Sequence, residues 1–214
     1  MARAGENRKG ITGFGAIARL LLASTNGEHW LAKIMDLIKL ASLPSPVQDS
    51  FEWRAYLEFI EAYFRNRNID RPIIVEIGVH GGNQKRFYTA LLGYEHIGID
   101  IAAKYSKPDI LGNSHAPETV ERLKEKLNGR PINLLFIDGD HSYAGVKGDY
   151  ELYAPLVENI IALHDIDYYP KSVSKFWGGL IEAEKARPNN KLFISLSAWH
   201  TNIYRIGIGL IILK

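Results

Sequence analysis

A chain of 214 residues, 46% hydrophobic and 23% charged, is long enough for one domain with a full core and has the composition of a soluble globular protein. Its formal net charge is +2, from 26 Lys and Arg against 24 Asp and Glu, so no strong field selects nucleic acid as a partner. The lack of cysteine excludes disulfides, thiolate metal sites and a cysteine nucleophile.

No apolar run reaches the roughly 18 residues of a membrane span, so no membrane partner is expected. The basic stretch Met1 to Lys9 followed by Ile11 to Ala23 imitates a signal peptide, but Arg19 interrupts its apolar part and no small-x-small site follows, so it reads as a helix. A cytoplasmic location is compatible with the lack of cysteine.

The first third of the chain reads as helical. Phe14, Ile17, Leu20 and Leu21 form one apolar stripe, and Trp30, Ile34, Leu37, Ile38 and Ala41 a second that Pro44 and Pro46 end. A third helix opens at Asp49 or Ser50, where Asp49 and Glu52 have capping-box spacing, and carries Trp53, Tyr56, Leu57, Ile60, Tyr63 and Phe64 on one face. Residues 1–69 are therefore expected to be a helical segment or lid before a domain spanning 70–214.

From Arg71 strands and helices alternate. Pro72 to Ile77 is a strand, followed by a glycine-rich turn and a helix marked by Phe87, Ala90 and Leu91 that Gly93 stops. His96 to Asp100 and Asp109 to Leu111 are the next strands, and Pro117 starts a helix with Val120, Leu123 and Leu127 inward. Leu134 to Ile137 is too short and too uniformly apolar for an amphipathic helix and reads as a parallel strand covered on both faces. A helix with Val146, Tyr150, Tyr153 and Val157 on one face leads to a strand at Asn159 to Leu163, a helix over Val173 to Ala186 and a strand at Lys191 to Ser197. The link at Trp199 to Asn202 is too short for a parallel crossover, so the last strand, Tyr204 to Leu213, must pair antiparallel with the one before it.

A strand, a glycine-rich turn and an acid at the end of the next strand are the usual means of holding an adenosine-containing cofactor. Gly78, Gly81 and Gly82 fill the turn and Asp100 is the acid. A dinucleotide fingerprint would place glycines at 78, 80 and 83, where the chain has Gly78, His80 and Asn83. Glu76 would repel a pyrophosphate and suits a cationic ligand, which points to S-adenosylmethionine, a cofactor without phosphate that carries a sulfonium and an ammonium. Asn113 and Ser114, past the third strand, are expected near the adenine.

Adjacent strand ends lie about 4.8 Å apart. If the fourth and fifth strands are neighbours, Asp138 leaves one while His164 and Asp165 leave the other. Two carboxylates so placed can share a hard divalent cation, which would lower the pKa of a substrate hydroxyl. His141, three residues after Asp138, could take the proton. His164 is either a third ligand, which would shift preference from magnesium toward manganese, or a contact beyond the ion. Asp140 and Asp167 are further ligand candidates, and Asp140 also reads as a turn residue. His80, His115 and His200 each have a structural reading, and Tyr168, Tyr169 and Trp199 line or cover the acceptor pocket.

The motifs Val75-Glu76-Ile77-Gly78 with Gly81-Gly82, Ile97 to Asp100, Phe136 to Tyr143 and Ala162 to Ile166 resemble the class I S-adenosylmethionine-dependent methyltransferases. The group they resemble most contains the cephalosporin-hydroxylase-like and macrolide-sugar O-methyltransferases. The likeness covers about Arg71 to Lys214 and implies an α/β, Rossmann-like, doubly wound seven-stranded sheet with an antiparallel last strand, here preceded by N-terminal helices. It also implies metal-dependent O-methyl transfer, with Asp138 and Asp165 at ligand positions, His164 at a position often held by another ligand, and His141 at that of the base. Many members have a Gly-Gly pair before the fifth strand where this chain has Glu158-Asn159. In such enzymes the region before the domain shapes the acceptor pocket and subunit contact, which leaves a homo-oligomer open.

The expected function is methyl transfer to a hydroxyl of a small molecule, a sugar or a polyhydroxylated or phenolic metabolite, with Asp138 both at the ion and beside the cofactor. The alternatives are a non-catalytic cofactor-binding protein in an assembly and a nicotinamide-dependent oxidoreductase.

Overall fold

The structure is a computed structural model that describes residues 48–197 and 206–213. The helices expected over Phe14–Leu21 and Trp30–Ala41, the turn from Trp199 to Asn202 with His200, and Tyr204 lie outside the described residues.

Helix α1 (Ser50–Asn66) begins where Asp49 accepts the Phe51 and Glu52 backbone N–H groups at 2.8 and 3.2 Å, satisfying two of the donors that a helix start leaves open. Glu52, the expected partner in the capping box, is buried, and its carboxylate receives the Gly207 N–H at 3.3 Å and the Gln48 amide. Of the expected stripe, Trp53, Tyr56, Leu57, Ile60 and Phe64 are buried as their spacing predicts, while Tyr63 is half-buried at its edge.

Seven strands form one sheet: β1 (Ile73–Ile77), β2 (Glu95–Asp100), β3 (Ile110–Leu111), β4 (Ile132–Ile137), β5 (Val157–His164), β6 (Leu192–Leu196) and β7 (Ile208–Ile212), in the order β3-β2-β1-β4-β5-β7-β6. β7 lies antiparallel between β5 and β6, and the other pairings are parallel. Between the strands come α2 (Asn83–Arg86), which widens into a π-helical turn over Phe87–Leu91, then α3 (Pro117–Leu127), α4 (Tyr143–Tyr153) and α5 (Val173–Ala186). Among the described residues no helix is long and apolar enough to cross a membrane.

Strand side chains alternate between faces. Val75, Ile77, Leu135, Ile137, Ile161 and Leu163 meet Leu123, Val146 and Phe176 from α3, α4 and α5 on one face. Phe136 on the other face meets Trp53 and Tyr56 of α1, at ring distances of 6.2 and 5.5 Å. β1 and β4 are therefore buried along their whole length, as strands covered on both faces must be. The π-helical turn brings Phe87 and the adjacent Tyr88 both inward and leaves Ala90 exposed, because the extra residue per turn shifts the helical register.

Asn133 ties three strands together inside this core: its side-chain oxygen accepts the Ile73 N–H at 2.8 Å and its amide donates to Asn159 at 3.0 Å. The β4–β5 register shifts between Ile132 and Leu134, and the amide spans that irregularity. Asn133→Ala would strand a buried N–H, and a loss of about 1–3 kcal/mol is expected. It would be read as a lower urea midpoint at unchanged slope.

Candidate functional site

The carboxyl ends of the parallel strands open into a cleft of about 1010 Å³, where an open α/β sheet binds its ligands. Glu76, Gly78, Gly81, Asp100, Asn113 and Ser114 line it, as do Asp138, His141, His164 and Asp165. Gly82 does not; it starts α2 at φ +72° and donates its N–H to Val79 O at 2.8 Å.

Gly78 makes the turn possible. At φ +89°, a Cβ on this residue would stand 2.0 Å from the Asp138 carbonyl oxygen, so only glycine lets the β1 turn pass against the end of β4. The approach is held by Asp138 N–H to Ile77 O at 2.8 Å and Gly78 N–H to Ile99 O at 2.9 Å. Asp100 braces the next loop, accepting the His80 and Ala102 N–H groups, one on each oxygen, both at 2.8 Å. Each of those oxygens keeps a further lone pair for a ligand.

Glu76 is buried at 1% exposure on the cleft floor, with His96 Nε2 at 2.7 Å from its carboxylate. Burial pushes its carboxyl up against the pull of His96, and a cation above it would favour the ionised form. His96 is no site candidate in the sequence; its signal is an imidazole on the same strand as Asp100, four residues before it.

At the other end of the cleft, the pairing of Ile137 with Leu163 sets Asp138 beside His164. His164 Nδ1 lies 3.0 Å from Asp138 Oδ1 and 3.3 Å from Asp165 Oδ1, while His141 Nε2 lies 3.1 Å from Asp138 Oδ1 and 3.4 Å from Asp165 Oδ2. Asp165 sits at φ +60°, a strained setting that clusters at functional sites and here turns its carboxylate back toward β4. One donor atom from each of the four residues lies within 4.8 Å of the others.

This set suits a divalent cation. His164 is 6% exposed, and despite its short approaches to two carboxylates neither ring nitrogen makes a well-aligned hydrogen bond among the described residues. Two carboxylates with imidazole nitrogen favour manganese or another transition ion alongside magnesium. Asp140 is used locally, accepting Ser142 N–H at 2.9 Å and its hydroxyl at 3.0 Å, and Asp167 accepts the Ser197 hydroxyl at 2.5 Å. Tyr169 packs on the His141 ring at 4.8 Å, and with Tyr168 it lines the cleft.

Without an ion, charge pairing governs the protons. Burial alone would raise Asp138, but the His164 and His141 imidazoles outweigh it and hold the carboxyl below its usual range. Asp138 raises His141 against burial. Burial lowers His164, yet the two aspartates prevail and push it up to about 10, from an ordinary 6.5.

A group raised on folding stabilises fully below its unfolded pKa and loses that contribution as pH climbs through the folded one. In the presence of a chelator, the melting temperature should therefore fall as pH rises from 6.5 toward about 10. His164→Gln should flatten that slope, and an unchanged slope in the variant would show that another group governs it.

Residues 75–166 match a protein-family model described as a methyltransferase domain. No curated protein matches the chain significantly. Solved structures with the same fold include the MycE methyltransferase from the mycinamycin biosynthetic pathway in complex with Mg, SAH and mycinamycin VI. It is 17% identical at a TM-score of 0.50, over 72% of this chain and 48% of that one, so the chain spans about half its length. An O-methyltransferase from Bacillus cereus in complex with SAH is 14% identical at a TM-score of 0.55, over 92% and 97% of the two chains. The O-methyltransferase TomG from Streptomyces achromogenes, involved in tomaymycin synthesis and in complex with SAM, is 13% identical at 0.54, over 93% and 95%.

Proposed function

We propose, from the match of residues 75–166 to a methyltransferase domain, that the chain is a class I S-adenosylmethionine-dependent, divalent-metal-dependent O-methyltransferase. Its acceptor is a hydroxyl of a small molecule, a sugar or a polyhydroxylated or phenolic metabolite. The observation that carries the reading is one cleft with a cofactor-type turn and acid at one end and the group Asp138, His141, His164 and Asp165 at the other. The bound groups supply an electrophilic methyl on a sulfonium, and a divalent charge that lowers the pKa of a hydroxyl.

The chain's own residues do the rest. Glu76 answers the positive charge of the methionine end, Gly78 and Gly81 keep the turn slim enough for close approach, Gly82 turns the chain into α2, and Asp100 accepts the ribose hydroxyls. Asn113 and Ser114 lie along the base, and Asp138 flanks the cofactor while serving as ligand. Asp138, Asp165 and His164 hold the cation. His141 takes the proton of the acceptor hydroxyl, and the Asp138 carboxylate at 3.1 Å stabilises the resulting imidazolium. The methyl passes to the acceptor oxygen as its bond to sulfur breaks, and S-adenosylhomocysteine remains. MycE holds Mg, SAH and mycinamycin VI in its complex, which supports a metal and a natural-product acceptor here.

A second reading has an observation of its own. His141 Nε2 is within 3.4 Å of both carboxylates, which suits a fourth metal ligand. His141→Ala separates the two: a base loses turnover at unchanged manganese affinity, and a ligand loses the affinity itself.

Calorimetric titration should give saturable binding of S-adenosylhomocysteine and none of NADH; the reverse result would return the chain to the oxidoreductases. With labelled S-adenosylmethionine and a panel of hydroxylated acceptors, Asp165→Ala should lower transfer by at least about a hundredfold with cofactor affinity nearly intact. Transfer indifferent to chelator would refute the metal's part.

A further inference from the structure

His115, three residues past the glycine that follows β3, lines the cleft and has a set of partners that its structural reading as a helix-start histidine does not explain. Its Nε2 lies 3.2 Å from the Gly145 carbonyl and 3.1 Å from Asp149 Oδ1, both on α4. Asp149 is 0% exposed, and burial raises its carboxyl against the pull of the Ser114 and His115 side chains beside it. A Cβ at Gly148 would stand 3.0–3.4 Å from three atoms of the His115 ring, so the ring rests in a notch that a side chain at 148 would crowd. One turn on, the buried Tyr153 donates its hydroxyl to Ser114 O at 2.7 Å and pins the same loop. A buried carboxylate, a glycine notch and a tyrosine brace thus converge on one imidazole at the wall of the cleft.

The chemistry of these partners sets the tautomer. The Gly145 carbonyl facing Nε2 can only accept, so Nε2 carries the proton, and in the neutral ring Nδ1 is left as an acceptor on the edge turned away from α4. The loop's other acceptors are engaged, since Asn113 Oδ1 takes the His115 N–H at 2.9 Å and Ser114 O takes Tyr153.

This inference rests on the proposed cofactor. With ribose over Asp100 at the end of β2, and the reacting end over Asp138 and Asp165 at β4 and β5, the base falls to the wall from Gly112 to His115. We propose that His115, locked by Asp149 and the Gly145 carbonyl, is the specificity residue for the base and accepts a hydrogen bond at Nδ1 from the 6-amino group of adenine. A purine with oxygen at that position would meet a lone pair with a lone pair.

The test is calorimetric competition with S-adenosylhomocysteine, its 6-oxo analogue S-inosylhomocysteine and the analogue with hydrogen at position 6. The protein should prefer the 6-amino ligand over both by at least about tenfold. His115→Phe, which keeps the ring and removes the acceptor, should bind S-adenosylhomocysteine more weakly and bring all three ligands to within about twofold of one another. Nitrogen-15 NMR of the free protein should show the Nε2–H tautomer, with the Nδ1 resonance moving on binding. If His115→Phe does not fold, the three affinities of the unaltered protein and the NMR signature still decide. Equal affinity for the three ligands, or a preference that His115→Phe leaves intact, overturns the role of His115 while the cofactor reading stands. No binding of any of the three removes both.

Discussion

Asp138 and Asp165 put two largely buried carboxylates into one small volume, and both can stay ionised there only if positive charge stands between or beside them. Their backbones are not free to separate. The β4–β5 register fixes one beside the other, and both strands are paired on each side within a buried sheet. In the protein without an ion the charge comes from His164 and His141, which is why both imidazoles are raised and Asp138 is lowered. A divalent cation would supply it more compactly and release the proton from His164, so metal binding, protonation and local stability are one linked equilibrium.

The rest of the cleft is arranged around that fixed end. Gly78 has no side chain because the β1 turn must lie against the Asp138 backbone, so the cofactor-type turn and the carboxylate pair are in direct contact. Glu76, on the face of the sheet shared with α1, adds a third acid beneath the cleft, and its electrostatic coupling to Asp138 and Asp100 makes the floor attractive to a cationic ligand. At the β3 side the cleft changes character, with His115 and its buried partner Asp149 forming a neutral-to-polar wall in place of an acidic floor.

Much of this was legible in the sequence, and the exceptions share a cause. Asp138, His164 and Asp165 could be placed at strand ends because short apolar runs mark the strands, while the adjacency of β4 and β5 that brings them together comes from the folded sheet. The spacing puts Val146, Tyr150, Tyr153 and Val157 on one face of α4, whereas Gly145, Val146, Asp149 and Tyr153 are buried and Val157 already starts β5. Asp149 has the right spacing, three after Val146 and four after Gly145, but an acid on a buried face is intelligible only once His115, 34 positions earlier, is seen beside it. Asn133 likewise needed Ile73 and Asn159 in view, and Asn159 occupies the place where the resembled family has glycine. The π-helical turn at Phe87 answers the packing of Phe87 and Tyr88 against α1, a constraint that no local pattern encodes. Periodicity reports which face is buried; polar groups satisfied across long sequence separations remain silent until the chain is folded.

The most direct test of the account is the anomalous diffraction signal at the manganese edge from crystals grown with manganese and S-adenosylhomocysteine. A single peak bounded by Asp138, His164 and Asp165, with the ligand lying from Glu76 to the Gly112–His115 wall, is the predicted result. S-adenosylhomocysteine in the cleft with no manganese at those three residues would contradict it, and would leave the carboxylates neutralised by the histidines alone.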